Sequence, residues 1–282
     1  VLPGEVVRAR AGTERPGLIE ARLEEVAQRS PERREPACPH FGRCGGCHYQ
    51  HADYAAQLTG KRDVLIETLR RVGRIDPPGD IEIVSAEPWE YRNRTQFHLA
   101  GGGIGFHAPG SHQLCPVERC PISSPQINDA LASLRAMMRD RRFPRFLGSI
   151  ELFTNGAEVL VNAREAARPL ARRFFEWCAE TIPGASAGFL DYTVSGRVFR
   201  VSHNSFFQVN RFLIEELVRT AVDGTGESAV DLYAGVGLFS LELAARYRTV
   251  TAVESGAGAA HDLKFNAERA AAPVTVVKDT AE

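Results

Sequence analysis

Apolar and polar positions run along this chain in blocks whose period changes several times. Residues 5–10 and 18–26 set Val, Leu and Ile among charged side chains around Gly12-Thr13-Glu14-Arg15-Pro16-Gly17. That pattern predicts two strands, too few to form a sheet of their own. From Ala55 to Val72 the residues Leu58, Leu65, Leu69 and Val72 share one face of a predicted helix, which Asp76-Pro77-Pro78-Gly79-Asp80 ends. Antiparallel strands are predicted at Ile81–Ser85, Gln96–Ala100 and Ile104–His107, with turns at Gly101-Gly102-Gly103 and Ala108-Pro109-Gly110. A helix over Gln126–Met138 places Ile127, Leu131, Leu134 and Met138 on one face. Strands at 148–154 and 157–163, a helix near 168–180, and strands at 187–194 and 197–202 follow.

After Asn210 the texture becomes strand–helix alternation. A helix over about 211–222 precedes a strand Ala229–Tyr233, a turn Ala234-Gly235-Val236-Gly237 and a helix Leu238–Ala245. A strand Val250–Val253, a helix near 257–270 and a strand Val274–Val277 complete the series. Such alternation is the opening half of a doubly wound parallel sheet.

At 282 residues the chain has room for about two domains, and its 44% apolar content is ordinary for a globular protein. No apolar run is long enough to span a membrane, and no signal peptide is recognisable. The chain begins Val1-Leu2-Pro3, which we read as a fragment or a processed product. Net charge is −1, so nucleic-acid binding must rely on local patches. Candidates are Arg29, Arg33 and Arg34, then Arg70, Arg71 and Arg74, and a third group, Arg135, Arg139, Arg141, Arg142 and Arg145. Each patch reads equally as a solvated face. Tyr91-Arg92-Asn93-Arg94 suits RNA stacking and phosphate contact, or an ordinary strand entrance.

Six cysteines change the picture. Cys38, Cys44 and Cys47 stand at C-x5-C-x2-C spacing, with Gly45 and Gly46 free to bend tightly between the last two. Three thiolates are one short of a closed iron–sulfur or zinc site. Cys115-Pro116 and Cys120-Pro121 are the candidates for the fourth. A zinc site using these cysteines, or mixing in His40, His48 and His51, remains open on spacing alone. Cys178, beside Trp177, reads as a buried core thiol.

The last block carries the second candidate site. Gly235 and Gly237 allow a ligand close to the backbone where strand gives way to helix, and Glu254 follows Asp231 by 23 residues. Ser240 holds the place of a third glycine, and no basic residue is set to meet a pyrophosphate. Asp231 before the turn suits a cationic ligand, such as the methionine amino group of S-adenosylmethionine, better than a nicotinamide or flavin dinucleotide. Upstream, His203-Asn204-Ser205-Phe206-Phe207-Gln208-Val209-Asn210 mixes amides, hydroxyls and aromatics in the manner of a polar-ligand grip.

Taken in order, Cys38…Cys44-Gly45-Gly46-Cys47, Tyr91–Arg94, Cys120-Pro121-Ile122, His203–Asn210 and Asp231–Gly237 resemble the S-adenosylmethionine-dependent RNA uracil-5-methyltransferases. The likeness is to the iron–sulfur branch that acts on 23S ribosomal RNA, and it spans essentially the whole chain. It implies an α/β protein of three segments. Residues 1–30 would be the remnant of an OB-like TRAM barrel. Residues 31–205 would form an α+β domain with the cluster loop and RNA-binding elements. Residues 206–282 would form an incomplete Rossmann-like domain. It implies a [4Fe–4S] cluster on Cys38, Cys44, Cys47 and Cys120, serving RNA binding and folding. It implies S-adenosylmethionine bound by Gln208, Asp231, Tyr233, Gly235, Gly237, Glu254 and Asp279.

In the family's chemistry a cysteine thiolate adds to uracil C6, C5 takes the methyl group, and a base removes the C5 proton. The target base must first leave its stack. The resemblance places that nucleophile and base beyond Glu282, so no catalytic residue is expected in this chain. A cytoplasmic monomer acting on RNA, with no membrane contact, is the expected setting. Transfer RNA as substrate, a non-catalytic iron–sulfur RNA-binding protein, and a zinc-stabilised methyltransferase of another substrate are the alternatives.

Purified without oxygen, the protein should be brown and carry about four irons per chain. Cys120→Ser should lose the iron and Cys115→Ser keep it. Stoichiometric zinc without iron would refute the cluster.

Overall fold

The computed structural model describes residues 1–281, which fall into two compact units, Val1–Ser85 and a second that begins at Ala86. The expected segment 31–205 is divided by this boundary, whereas 1–30 and 206–282 each lie within one unit.

In the first unit β1 (Val6–Arg15) and β2 (Leu18–Gln28) pair antiparallel across the Pro16-Gly17 turn. They make a two-stranded sheet by themselves, where the pattern predicts too few strands to form one. Three register shifts and cross-strand ion pairs such as Arg10–Glu24 at 2.7 Å accommodate its exposed faces. Behind it, Glu5 accepts from Arg33 Nε, from Arg33 Nη2 at 2.8 Å and from the Leu2 amide at 2.8 Å. The Arg33 guanidinium, more than any other partner, holds the Glu5 carboxyl well below the usual carboxylate range. α1 (Tyr54–Arg71) starts at Asp53, whose carboxylate accepts the Ala56 amide at 2.8 Å. The predicted apolar face of α1 stays out of the core, with Leu65 and Val72 exposed. Ile81–Ser85 forms no strand, because Pro77-Pro78 precede it and no sheet edge pairs with it.

The second unit is built on a six-stranded sheet of order β5-β4-β3-β6-β7-β8. Its strands are β3 (Arg94–Ala100), β4 (Gly103–His107), β5 (Leu114–Pro116), β6 (Leu147–Thr154), β7 (Val159–Ala166) and β8 (Ala185–Ser186). α2 (Pro125–Met137) and α3 (Arg172–Thr181) pack on it, and Ile127, Leu131, Leu134 and Met138 are all buried as the periodicity required. Cys178 lies in this core, where burial pushes its thiol up to about 12.

A hairpin, β9 (Phe189–Val194) and β10 (Arg197–Ser202), leads through α4 (Ile214–Ala221) to a parallel sheet of order β11-β12-β13. Its strands are β11 (Gly226–Leu232), β12 (Tyr247–Val253) and β13 (Val274–Val277), joined by α5 (Ser240–Leu243) and α6 (Ala257–Arg269). β11 is an edge strand here, and Val230 on it is 63% exposed.

A polar spine joins the six-stranded sheet to this parallel half. Asp262 on α6 is 0% exposed and accepts from the Ser202 amide and hydroxyl, both at 2.7 Å, and from the Ser205 hydroxyl at 2.6 Å. Arg200 Nε lies 3.4 Å from its other oxygen. One turn later Asn266 accepts the Arg200 amide at 2.8 Å and donates to the carbonyls of Arg200 and Val236 at 3.1 and 2.9 Å. The Ser205 carbonyl in turn accepts from Arg94 at 2.6 Å.

Asp262→Ala should cost about 3–5 kcal/mol, since it strands Arg200 and two serine hydroxyls around a buried gap. Urea unfolding would show it, and a loss under 1 kcal/mol would mean the spine is not a stability element.

Candidate cofactor and nucleic-acid site

At the carboxyl end of β11 the chain turns sharply. Tyr233 takes φ 58°, a left-handed conformation costly for a bulky residue, and its ring stands 71% exposed. The next amide, of buried Ala234, rejoins the sheet by donating to the Val253 carbonyl at 3.0 Å. Gly235 and Gly237 follow at φ 57° and 91°. A side chain at Gly237 would meet Leu263 of α6, with its Cβ 2.5 Å from Leu263 Cδ1.

Two acids shape the turn. Glu254, just past β12, accepts the Gly235 amide at 2.8 Å and the Gly256 amide at 2.6 Å. One carboxylate therefore holds the glycine turn and caps α6 at once, with acceptor capacity left for a ligand. Asp231 is 8% exposed and accepts the Ser240 hydroxyl at 2.6 Å. Ser240 thus does by hydrogen bonding what a third glycine would do by smallness. Burial, helped by the charge of Glu254, pushes the Asp231 carboxyl up, while the Ser240 hydroxyl and amide oppose the rise. Two neighbouring acids favour a donor-bearing or cationic ligand.

Asp279 lies two residues beyond β13 and caps the Thr280 amide at 2.8 Å. β11, β12 and β13 are adjacent and parallel, so Asp231, Tyr233, Glu254 and Asp279 gather at the carboxyl ends of three neighbouring strands. Ligands of open α/β sheets bind there. Gln208 is joined to the scaffold through its carbonyl, which accepts Asn93 Nδ2 at 3.1 Å.

Within Tyr91–Arg94, Asn93 and Arg94 serve the scaffold. Asn93 is buried and bonds the Tyr192 hydroxyl at 3.1 Å, and its own amide donates to the Val209 carbonyl at 3.0 Å. Arg94 lies 3.3 Å from Glu151 and stacks over Phe153 at 4.5 Å. Burial pushes its pKa down and Glu151 opposes that. The motif is a strand entrance that binds the His203–Asn210 stretch to the sheet. Asp262 and Asn266 escaped the sequence reading. Their one signal is a pair of polar residues four apart on the helix face that also carries Leu263.

The cysteine loop is closed at its base by the Arg33–Ala52 bridge and by the Arg34 amide on the His51 carbonyl at 3.0 Å. Cys38, Cys44 and Cys47 are half-buried in it, and Cys44 Sγ accepts the Gly46 amide at 3.4 Å. Cys120 belongs to the second unit and is buried, its amide donating to Asn128 at 2.8 Å. Among the described residues no group of three His, Cys, Asp or Glu side chains is placed to hold a metal ion. Metal–thiolate bonds supply much of the energy that closes such sites. Among the described residues no helix is long and apolar enough to cross a membrane.

No protein-family model matches the chain. A protein of Stenotrophomonas maltophilia named 23S rRNA (uracil(1939)-C(5))-methyltransferase RlmD is 31% identical over 95% of this chain and 67% of its own length. One of the same name from Chromohalobacter salexigens is 33% identical over 95% of this chain and 63% of its length. An uncharacterized RNA methyltransferase of Aquifex aeolicus is 28% identical over 94% and 68%. The chain thus spans about two thirds of these relatives. The crystal structure of the Pyrococcus abyssi tRNA (uracil-54, C5)-methyltransferase with S-adenosyl-L-homocysteine shares the fold. Its TM-score is 0.74 at 21% identity, over 98% of this chain and 72% of that one.

Two alanine substitutions separate clash from backbone strain in the turn. Gly235→Ala, with open space around a Cβ, should cost about 1–2 kcal/mol. Gly237→Ala should cost more, because Leu263 must also move. Equal melting temperatures for the two variants would refute the close approach.

Proposed function

Because the chain belongs to the family of RNA uracil-C5-methyltransferases, we propose that it binds S-adenosylmethionine and methylates uridine C5 in 23S ribosomal RNA. The observation that carries this reading is the gathering of Asp231, Tyr233, Glu254 and Asp279 around a glycine turn at three parallel strand ends. Glu254 has acceptor capacity left for ribose hydroxyls, and the Asp231–Glu254 pair favours the cationic methionine end. Exposed Tyr233 flanks that end and Asp279 the adenine. Gln208 is assigned to the same ligand on the strength of its motif. S-adenosylmethionine supplies an electrophilic methyl group when bound.

Uracil C5 needs a thiolate at C6 before it can accept the methyl group. Cys115, Cys120 and Cys178 are buried, and burial pushes the Cys178 thiol up to about 12, so these three do not fit that nucleophile. We further place a [4Fe–4S] cluster on Cys38, Cys44, Cys47 and Cys120, supported by their spacing, the closed loop and the N–H···S bond at Cys44. No catalytic step runs through it. A TRAM-type hairpin at 1–30, a central domain at 31–205 and a cofactor domain from 206, in a cytoplasmic monomer, complete the proposal.

Glu254→Ala should weaken S-adenosylmethionine binding by about 1.5–3 kcal/mol, the range for hydrogen bonds to a charged group. Calorimetry on the full-length protein tests it. Lowered thermal stability with unchanged affinity would leave Glu254 as a cap alone. Tritium-methyl transfer by the full-length protein should label unmodified ribosomal RNA, and labelling of transfer RNA alone would reassign the substrate.

A further inference from the structure

Beside β7 lies a cleft of about 570 Å3 that the cofactor site does not use. Asn162, Arg164, Arg168, Phe175, His203 and Asn204 line it. Its described lining holds two guanidiniums and an imidazole, and no carboxylate.

Its wall is built rather than incidental. Buried Asn162 donates to the His203 carbonyl at 2.7 Å. Arg164 Nη1 donates to Asn204 Oδ1 at 3.0 Å. These bonds stitch the end of β7 to the turn that opens the His203–Asn210 stretch. Arg168 stacks on Phe146, its guanidinium 4.2 Å from the ring centroid. His203 turns Nδ1 toward the Gly188 carbonyl at 3.3 Å.

Neither Arg164 nor Arg168 forms an ion pair among the described residues, whereas arginines elsewhere in this unit, such as Arg94 and Arg142, are held by carboxylates. A guanidinium held by one neutral contact keeps most of its N–H donors, and planar anions satisfy them best. The segment after Arg168 leads into α3, a ten-residue helix whose N-cap, Ala171, offers no side-chain acceptor and whose first turn holds no acid. That terminus adds partial positive charge on the same side of the fold. The volume far exceeds a single phosphate ion, and Leu170 and Phe175 give it an apolar floor for a sugar or base face.

We propose that this cleft grips the phosphodiester backbone of the RNA substrate, through Arg164 and Arg168, outside the methyl-transfer site. The proposal rests on reading the protein as an RNA methyltransferase. It gives the His203–Asn210 stretch two jobs: its first residues shape an RNA-backbone cleft, and the rest serves the cofactor side.

The test measures binding of an unmodified ribosomal RNA transcript by the full-length protein, across 50–200 mM salt. Arg164→Ala/Arg168→Ala should weaken binding and flatten the slope of log affinity against log salt by about 1.4, or about 0.7 per lost contact to a single strand. The paired lysine variant should restore most of the slope. Affinity for S-adenosylmethionine should be unchanged in both, which confirms that they fold. An alanine variant with wild-type slope would overturn the cleft while leaving the RNA reading intact. A wild-type protein that binds no RNA would overturn both. Saturable binding of inorganic phosphate at Arg164 and Arg168 with no change in RNA slope would assign the cleft to a small anion and overturn the proposal.

Discussion

The second unit depends on a buried carboxylate. Asp262 has no access to water, so its charge is tolerable only if its neighbours donate to it or pair with it. Ser202 and Ser205 donate to it and Arg200 pairs with it as an ion 3.4 Å away, and each lies on the hairpin or the turn that follows it. The helix carrying Asp262 also carries Leu263, which presses on Gly237, and Asn266, which bonds the Val236 carbonyl. The glycine turn is therefore positioned from below by α6 and from the side by Glu254.

This arrangement explains why the candidate site needs so few residues of its own. β11, β12 and β13 deliver one acid each to the same sheet end by register alone. Glu254 then spends two of its acceptor positions on backbone amides, which fixes the turn before any ligand arrives. A preorganised turn removes part of the entropic cost of binding. Tyr233 pays for its exposed position with a left-handed backbone, a strain that packing on either side sustains.

The same spine reaches the six-stranded sheet through Arg94 and Asn93. Both hold the His203–Asn210 stretch by its carbonyls, so they act on its main chain. The stretch thus runs along the sheet with Phe207 packed in the core and Phe206 exposed. Its start faces the arginine cleft and its end leads into α4.

Much of this was legible in the amino-acid order. Period and turn residues located α2, β11, the glycine turn and α6, because each element there is set by local spacing and by one buried face. Cys178 was legible as a core thiol for the same reason. Tertiary structure decided the rest. Ile81–Ser85 has strand-like residues but no partner edge, and the hairpin of β1 and β2 stands as a sheet where local reading saw too few strands. Asn93 and Arg94 look like surface RNA contacts in one dimension and are interior in three, since burial depends on what packs against a residue and not on its polarity. Asp262 and Asn266 gain meaning only beside β10, 60 and 66 residues away from their partners Ser202 and Arg200. Spacing could propose that four cysteines share a centre. Whether thiols meet is set by chain packing and by the bonds a metal itself contributes, neither of which is written in spacing.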